Sequence, residues 1–169
     1  MHQASLARAF ASGASDEIRA ALGAIDDLDG RLDALVASAR AAWPRVHVQE
    51  QDFLRWCGAR VPASASAWLD QVHAPDLFLA YACLQRDPVA LEAFDRTHMT
   101  AVRRLLAKMV PSSALADDVA QILTQQLLAS SPERPAALAQ YNGLGRLSGW
   151  LRVCAVREAV RARRKAGIE

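Results

Sequence analysis

Basic side chains that could bind a polyanion are concentrated near the end of this 169-residue chain. Residues 152–165 contain one acidic residue, Glu158. The basic residues in the same stretch are Arg152, Arg157, Arg161, Arg163, Arg164 and Lys165. Such one-sided charge is unfavourable on a compact protein unless phosphates neutralise it, and counterion release then favours binding. The alternative is a solvated helix end, because basic residues in a last turn also complement the helix dipole.

A glycine-containing loop comes directly before these basic residues. Its side chains that could stack on or hydrogen-bond to an unpaired base are Tyr141, Asn142, Arg146 and Trp150. Gly143 and Gly145 let the backbone adopt left-handed turns, so we expect a mobile loop. Ser148 is well placed as the N-cap of the basic helix that follows. Trp150 is equally suited to anchor that helix in the core.

The sequence lacks the residue patterns of common enzymes and metal sites. It has no Gly-x-Ser-x-Gly turn, no glycine-rich phosphate loop and no His-Glu-x-x-His helix. Its cysteines and histidines are scattered without the paired spacing of zinc ligands. We therefore expect no catalysis, no cofactor and no bound metal. Without a signal peptide or a long apolar run, we expect a cytoplasmic protein that makes no membrane contact.

Apolar residues recur at helical spacing and never with the period of a strand, which predicts an all-α fold. One long helix is expected from Ser15 to Ala42, after a first dozen residues that are frayed or partly helical. Its apolar stripe either packs within the chain, which we favour, or forms a dimer seam. We accordingly expect a monomer at micromolar concentration. A linker at residues 62–66 divides an N-terminal extension (1–62) from a second domain (63–169).

A helix predicted from Ala114 to Ala129 has polar residues on its outer side. Together with the loop, it resembles bacterial RNA polymerase sigma factors of the extracytoplasmic-function group, in their second conserved region. The first matching signature is Asp117-Asp118-Val119-Ala120-Gln121. The second is Gly143-x-Gly145-x-Leu147-x-x-Trp150-Leu151, which runs into the basic helix. The resemblance extends over roughly residues 74–165.

This resemblance implies a sigma region 2-like helical bundle that binds core RNA polymerase and then recognises and melts the promoter −10 element. The polymerase contact is made with the clamp helices of the largest subunit, and the residues implied are Asp117, Asp118, Gln121, Ile122 and Gln125. The non-template DNA strand is bound by Tyr141, Asn142, Arg146, Ser148, Trp150, Arg152, Arg157, Arg161, Arg163, Arg164 and Lys165. At the helix end, we expect Arg161, Arg163, Arg164 and Lys165 to contact phosphates. We expect the residues in or beside the glycine loop, Tyr141, Asn142, Arg146 and Trp150, to hold unstacked bases. An anti-sigma factor is a further partner that the resemblance suggests.

Two other interpretations remain open. The chain could be a helical protein–protein interaction module whose basic tail binds nucleic acid without sequence choice, or, as a weaker third reading, an enzyme. Sigma factors of this group also contain a C-terminal helix-turn-helix domain, so we expect the 169 residues to be a fragment of a longer protein.

Overall fold

The structure is a computed structural model that describes residues 5–168, and these residues form an all-helical fold without a strand. The helices are α1 (Leu6–Gly13), α2 (Asp16–Ala21), α3 (Leu28–Ala42), α4 (Glu50–Gly58), α5 (Ala65–Gln71), α6 (Ala74–Leu84), α7 (Pro88–Phe94), α8 (Thr100–Met109), α9 (Ser113–Leu128) and α10 (Leu147–Lys165). Short 3-10 turns cover Leu22–Ala24 and Ala137–Gln140. A π-helical turn, Asp95–Met99, joins α7 to α8. The predicted all-α class is confirmed.

Helix starts are set by short polar side chains that satisfy unpaired backbone N–H groups. Ser15, Asp87 and Ser112 each cap a helix by accepting a backbone N–H, at 3.3, 2.8 and 3.2 Å respectively. At the other end of α3, the helix stops at Ala42, directly before the Trp43-Pro44 pair. These boundaries are therefore set by residues close to them in sequence.

The single long helix expected from Ser15 to Ala42 is wrong, because the chain is interrupted between α2 and α3. Asp27 adopts a left-handed conformation with φ of 48° and becomes the N-cap of α3. Its carboxylate accepts the Gly30 N–H at 3.2 Å. The apolar spacing continues across this break, so periodicity alone did not indicate it.

The apolar stripe of this region packs inside the chain. Ile18, Leu32, Leu35 and Ala39 are all buried, and α3 packs against α6 and α1. The intramolecular alternative is thus confirmed for these side chains. The first dozen residues, expected to be frayed or partly helical, are helical from Leu6 onward in α1, and positions 1–4 lie outside the described residues.

One hydrophobic core extends across the expected boundary at residue 62. The ring of Phe10 in α1 lies 5.8 Å from that of Trp68 in α5, centroid to centroid. Phe53 in α4 meets Phe78 in α6 edge to face at 5.2 Å. The N-terminal helices are therefore packed on the remainder and not merely tethered to it.

The candidate site is built on α8, α9 and α10, which pack against one another. Helix α10 buries a stripe at three- and four-residue spacing that includes Leu147, Leu151, Ala155 and Ala159. Within residues 5–168 we find no helix with both the length and the apolar character needed to span a membrane.

Candidate nucleic-acid interface

The direction of the basic side chains follows from the buried stripe of α10. Because Leu151, Ala155 and Ala159 face the core, the opposite side of the helix faces solvent. The side chains exposed there or near the ends of the helix include Arg146, Arg152, Arg157, Arg161, Arg164 and Lys165. The helix ends in a Schellman motif around Gly167, which has a φ of 70°.

Two of the predicted phosphate-binding residues make contacts within the chain. Arg161 pairs with Glu158 at 3.0 Å, and Glu158 is a buried carboxylate with 8% of its surface exposed. Arg163 is half-buried and donates to the backbone carbonyl of Met109, at 3.5 Å, where α8 ends. Arg163 thus supplies a hydrogen-bond donor to the C-terminus of α8.

The remaining basic residues of this surface have no acidic partner within residues 5–168. They are Arg146, Arg152, Arg157, Arg164 and Lys165, and none forms an ion pair in that part of the chain. Unpaired surface charge of one sign attracts counterions, which a polyanion displaces. These five residues therefore leave unpaired positive charge on this surface.

Ser148 is not the N-cap of α10, as the sequence had suggested. The helix starts at Leu147, and the Leu147 N–H donates to Asp76 Oδ2 at 2.9 Å. Asp76 lies in the first turn of α6, so a carboxylate 71 residues away fulfils the capping role. Ser148 is consequently left exposed in the first turn of α10.

The loop before α10 is held in place by specific contacts within the chain. The structure therefore differs from the mobile loop that the glycines had led us to expect. The Tyr141 ring is buried and its hydroxyl donates to the Gly145 carbonyl at 2.8 Å. Burial and the nearby carboxylate of Asp76 raise the pKa of Tyr141. In this conformation Tyr141 cannot stack on a base, and its predicted role is corrected on that ground.

Asn142 and the glycines hold the backbone of the same loop. The Asn142 side-chain oxygen accepts the Leu144 N–H at 3.0 Å. The backbone carbonyl of Asn142 accepts the Trp68 indole N–H at 2.8 Å. Gly143 and Gly145 have φ values of 80° and 75°, which other residues rarely adopt. The Gly-x-Gly spacing is therefore a backbone requirement. Trp150 is half-buried against the core, with its ring 5.8 Å from that of Tyr141.

A cavity of about 300 Å³ lies where the π-helical turn and α8 meet the start of α10. Its lining includes Thr97, His98, Val102, Ser148 and Arg152. Burial lowers the pKa of His98, and Asp76 opposes that shift. The cavity is lined by buried apolar residues such as Val102 and by exposed polar residues such as Ser148 and Arg152.

Sequence reasoning did not indicate this cavity. A π-helical turn often marks a functional site, but its single extra residue leaves no clear mark in the apolar spacing. Ser148 and Arg152, already chosen as DNA-binding candidates, are the two predicted residues that line it.

The predicted polymerase-binding face of α9 is exposed as a whole. Asp117, Asp118, Gln121 and Gln125 face solvent, and Ile122 has 44% of its surface exposed. On the opposite side Val119, Leu123 and other apolar residues are buried. An isoleucine among carboxylates and amides gives this face an apolar centre with a polar rim, which is the usual anatomy of a binding surface.

Residues 5–168 contain no cluster of three or more histidine, cysteine, aspartate or glutamate side chains that could hold a metal ion. Burial raises the pKa of Cys83 to about 12, so its thiol stays protonated near neutral pH.

No protein-family model, no curated protein and no solved structure matches this chain.

Proposed function

We propose that this chain is a transcription initiation factor domain of the sigma type, which binds core RNA polymerase and recognises and melts the promoter −10 element. In this proposal the outer face of α9 meets the polymerase and α10 meets the DNA. The observation that supports it most is the loop between them. Gly143 and Gly145, the glycines of the sigma-like signature, both need left-handed backbone, and the loop leads directly into a helix with unpaired basic residues.

The cavity at the start of α10 supplies a place for one unstacked base. Its apolar floor can contact the ring, while Ser148 and Arg152 at the rim can hydrogen-bond to the base edge or the adjacent phosphate. Extruding a base costs a few kcal/mol, which stacking and phosphate contacts offset. This assignment replaces Tyr141, which is buried, as the group that holds a base.

A helical interaction module with non-specific nucleic-acid binding is the second candidate. It is favoured by the fixed loop, since Tyr141 and the Asn142 oxygen are already engaged within the chain. Such a module would bind all sequences with similar affinity, because phosphate contacts contain no sequence information.

A pull-down of purified core polymerase tests the first proposal. Replacing Asp118 and Gln121 together with Lys should weaken binding while leaving the far-UV circular dichroism unchanged, since both side chains are exposed. A matched control reverses an exposed acid on another helix, Asp33→Lys in α3, and should bind like the wild type. Equal binding by all three proteins would contradict the polymerase assignment.

A further inference from the structure

We infer that the outer faces of α9 and α10 bind each other between two copies of this chain, in a head-to-tail contact. The starting observation is the distribution of exposed apolar side chains. Among residues 5–168, the large hydrophobic side chains that are clearly exposed are Ile122 on α9 (44%) and Val153 and Val160 on α10 (48% and 38%). All three lie on α9 and α10, two helices that pack against each other.

The charges around these side chains have opposite sign on the two helices. On α9, Asp118 precedes Ile122 by one turn, and no basic residue of the described chain pairs with it. On α10, Arg157 lies between Val153 and Val160 and is likewise unpaired among residues 5–168. Each face therefore offers an apolar contact with a charge that the other face complements.

The two faces do not contact each other within one molecule, because both are exposed while the helices pack through their other sides. A second copy supplies the missing partner. The formal net charge of only +2 leaves little general repulsion between copies, so the local complementarity decides the outcome. Val153 and Val160, beside Arg157, offer a second copy an apolar contact in addition to the charge that a phosphate backbone would neutralise.

Pairing unlike faces gives a heterologous contact, not a symmetric one. A contact between two helix faces is small compared with the roughly 1,200 Å² or more that stable complexes bury, so association is weak. The chain is then monomeric at low micromolar concentration and associates at roughly 100 µM. Because the same faces serve the proposed polymerase and DNA contacts, self-association competes with both.

Light scattering or sedimentation of the whole chain, from about 10 to about 400 µM, tests the inference within the concentration range expected for a weak contact. The average mass should rise with concentration and fall again at high salt, since salt screens exposed charge pairs. Asp118→Arg and Arg157→Asp should each weaken association by about tenfold, because one favourable pair becomes repulsive. An equimolar mixture of these two variants should recover it, since each then meets its complement.

The control variant Asp33→Arg reverses an exposed acid outside both faces and should associate like the wild type. A constant mass across the series, a mixture that does not recover, or an equal loss with Asp33→Arg would each overturn the inference. The measurement uses neither polymerase nor DNA, so its failure and the failure of the proposed function remain distinguishable.

Discussion

Helices α1 and α4 cross so closely that a single added methyl group at the crossing should destabilise the fold. Each helix ends in a glycine that lies against the backbone of the other. A Cβ added to Gly58 would stand 2.1 Å from the Phe10 carbonyl oxygen, and one added to Gly13 would stand 1.8 Å from that of Arg55. Both distances are more than 1 Å shorter than the nearest normal approach of about 3.3 Å for a carbon and an oxygen. Gly58→Ala must therefore push the two helices apart.

Overpacking of this kind costs about 1–3 kcal/mol. The higher helix propensity of alanine returns at most about 1 kcal/mol, and less at a helix end. We expect a net loss of about 2 kcal/mol, or a melting temperature lower by about 4–8 °C for a chain of this size. Urea unfolding followed by circular dichroism measures it.

The matched control is Gly149→Ala, in α10, where an added Cβ would meet no atom within 4 Å. That change should leave stability unchanged or raise it by up to about 1 kcal/mol. If Gly58→Ala were as stable as the wild type, or if both changes had the same effect, the close crossing would not be what holds α1 in place.

Three further predictions concern single groups. Replacing Asp76 by Ala removes the acceptor of the Leu147 N–H and should lower the free energy of unfolding by about 1 kcal/mol in urea titrations. Asp87→Ala removes the cap bonded to the Ala90 N–H and should cost a similar amount, about 1 kcal/mol. Burial lowers the pKa of His98 below its ordinary value of 6.5, so the unfolded chain binds that proton more tightly than the folded one. Stability should be fully present above pH 6.5 and fall as the pH drops below it, and His98→Gln should reduce that fall in thermal melts at a series of pH values.

Features encoded by neighbouring residues could be predicted from the sequence. The all-helical class and the caps at Ser15, Asp87 and Ser112 depend on spacing and on side chains within three residues of their targets. The break at Asp27 is also local, yet it was missed. The apolar spacing continues through the interruption and predicts one helix, although Asp27 is a residue type that can cap a new one.

The missed features of the candidate site depend on residues that are distant in sequence. Asp76 replaces Ser148 as the capping group of α10, and Trp68 holds the loop through a bond across 74 residues. The burial of Tyr141 follows from the same packing. The exposure of the α9 face was predictable, because helical periodicity alone separates its polar strip from its buried side.

We propose that the chain, when bound to core polymerase, recognises single-stranded −10-like DNA by its sequence. Fluorescence anisotropy with labelled −10-like and scrambled oligonucleotides, across a salt series, tests this recognition. The wild type should prefer the −10-like strand. The double variant Arg164→Ala, Lys165→Ala should bind both oligonucleotides more weakly and to the same extent. The slope of log affinity against log salt concentration should become shallower by about one unit per lost contact. The double variant Ser148→Ala, Arg152→Ala, at the cavity, should reduce the difference in affinity between the −10-like and the scrambled oligonucleotide. Equal affinity of the wild-type complex for both oligonucleotides would contradict the claim and favour the non-specific module.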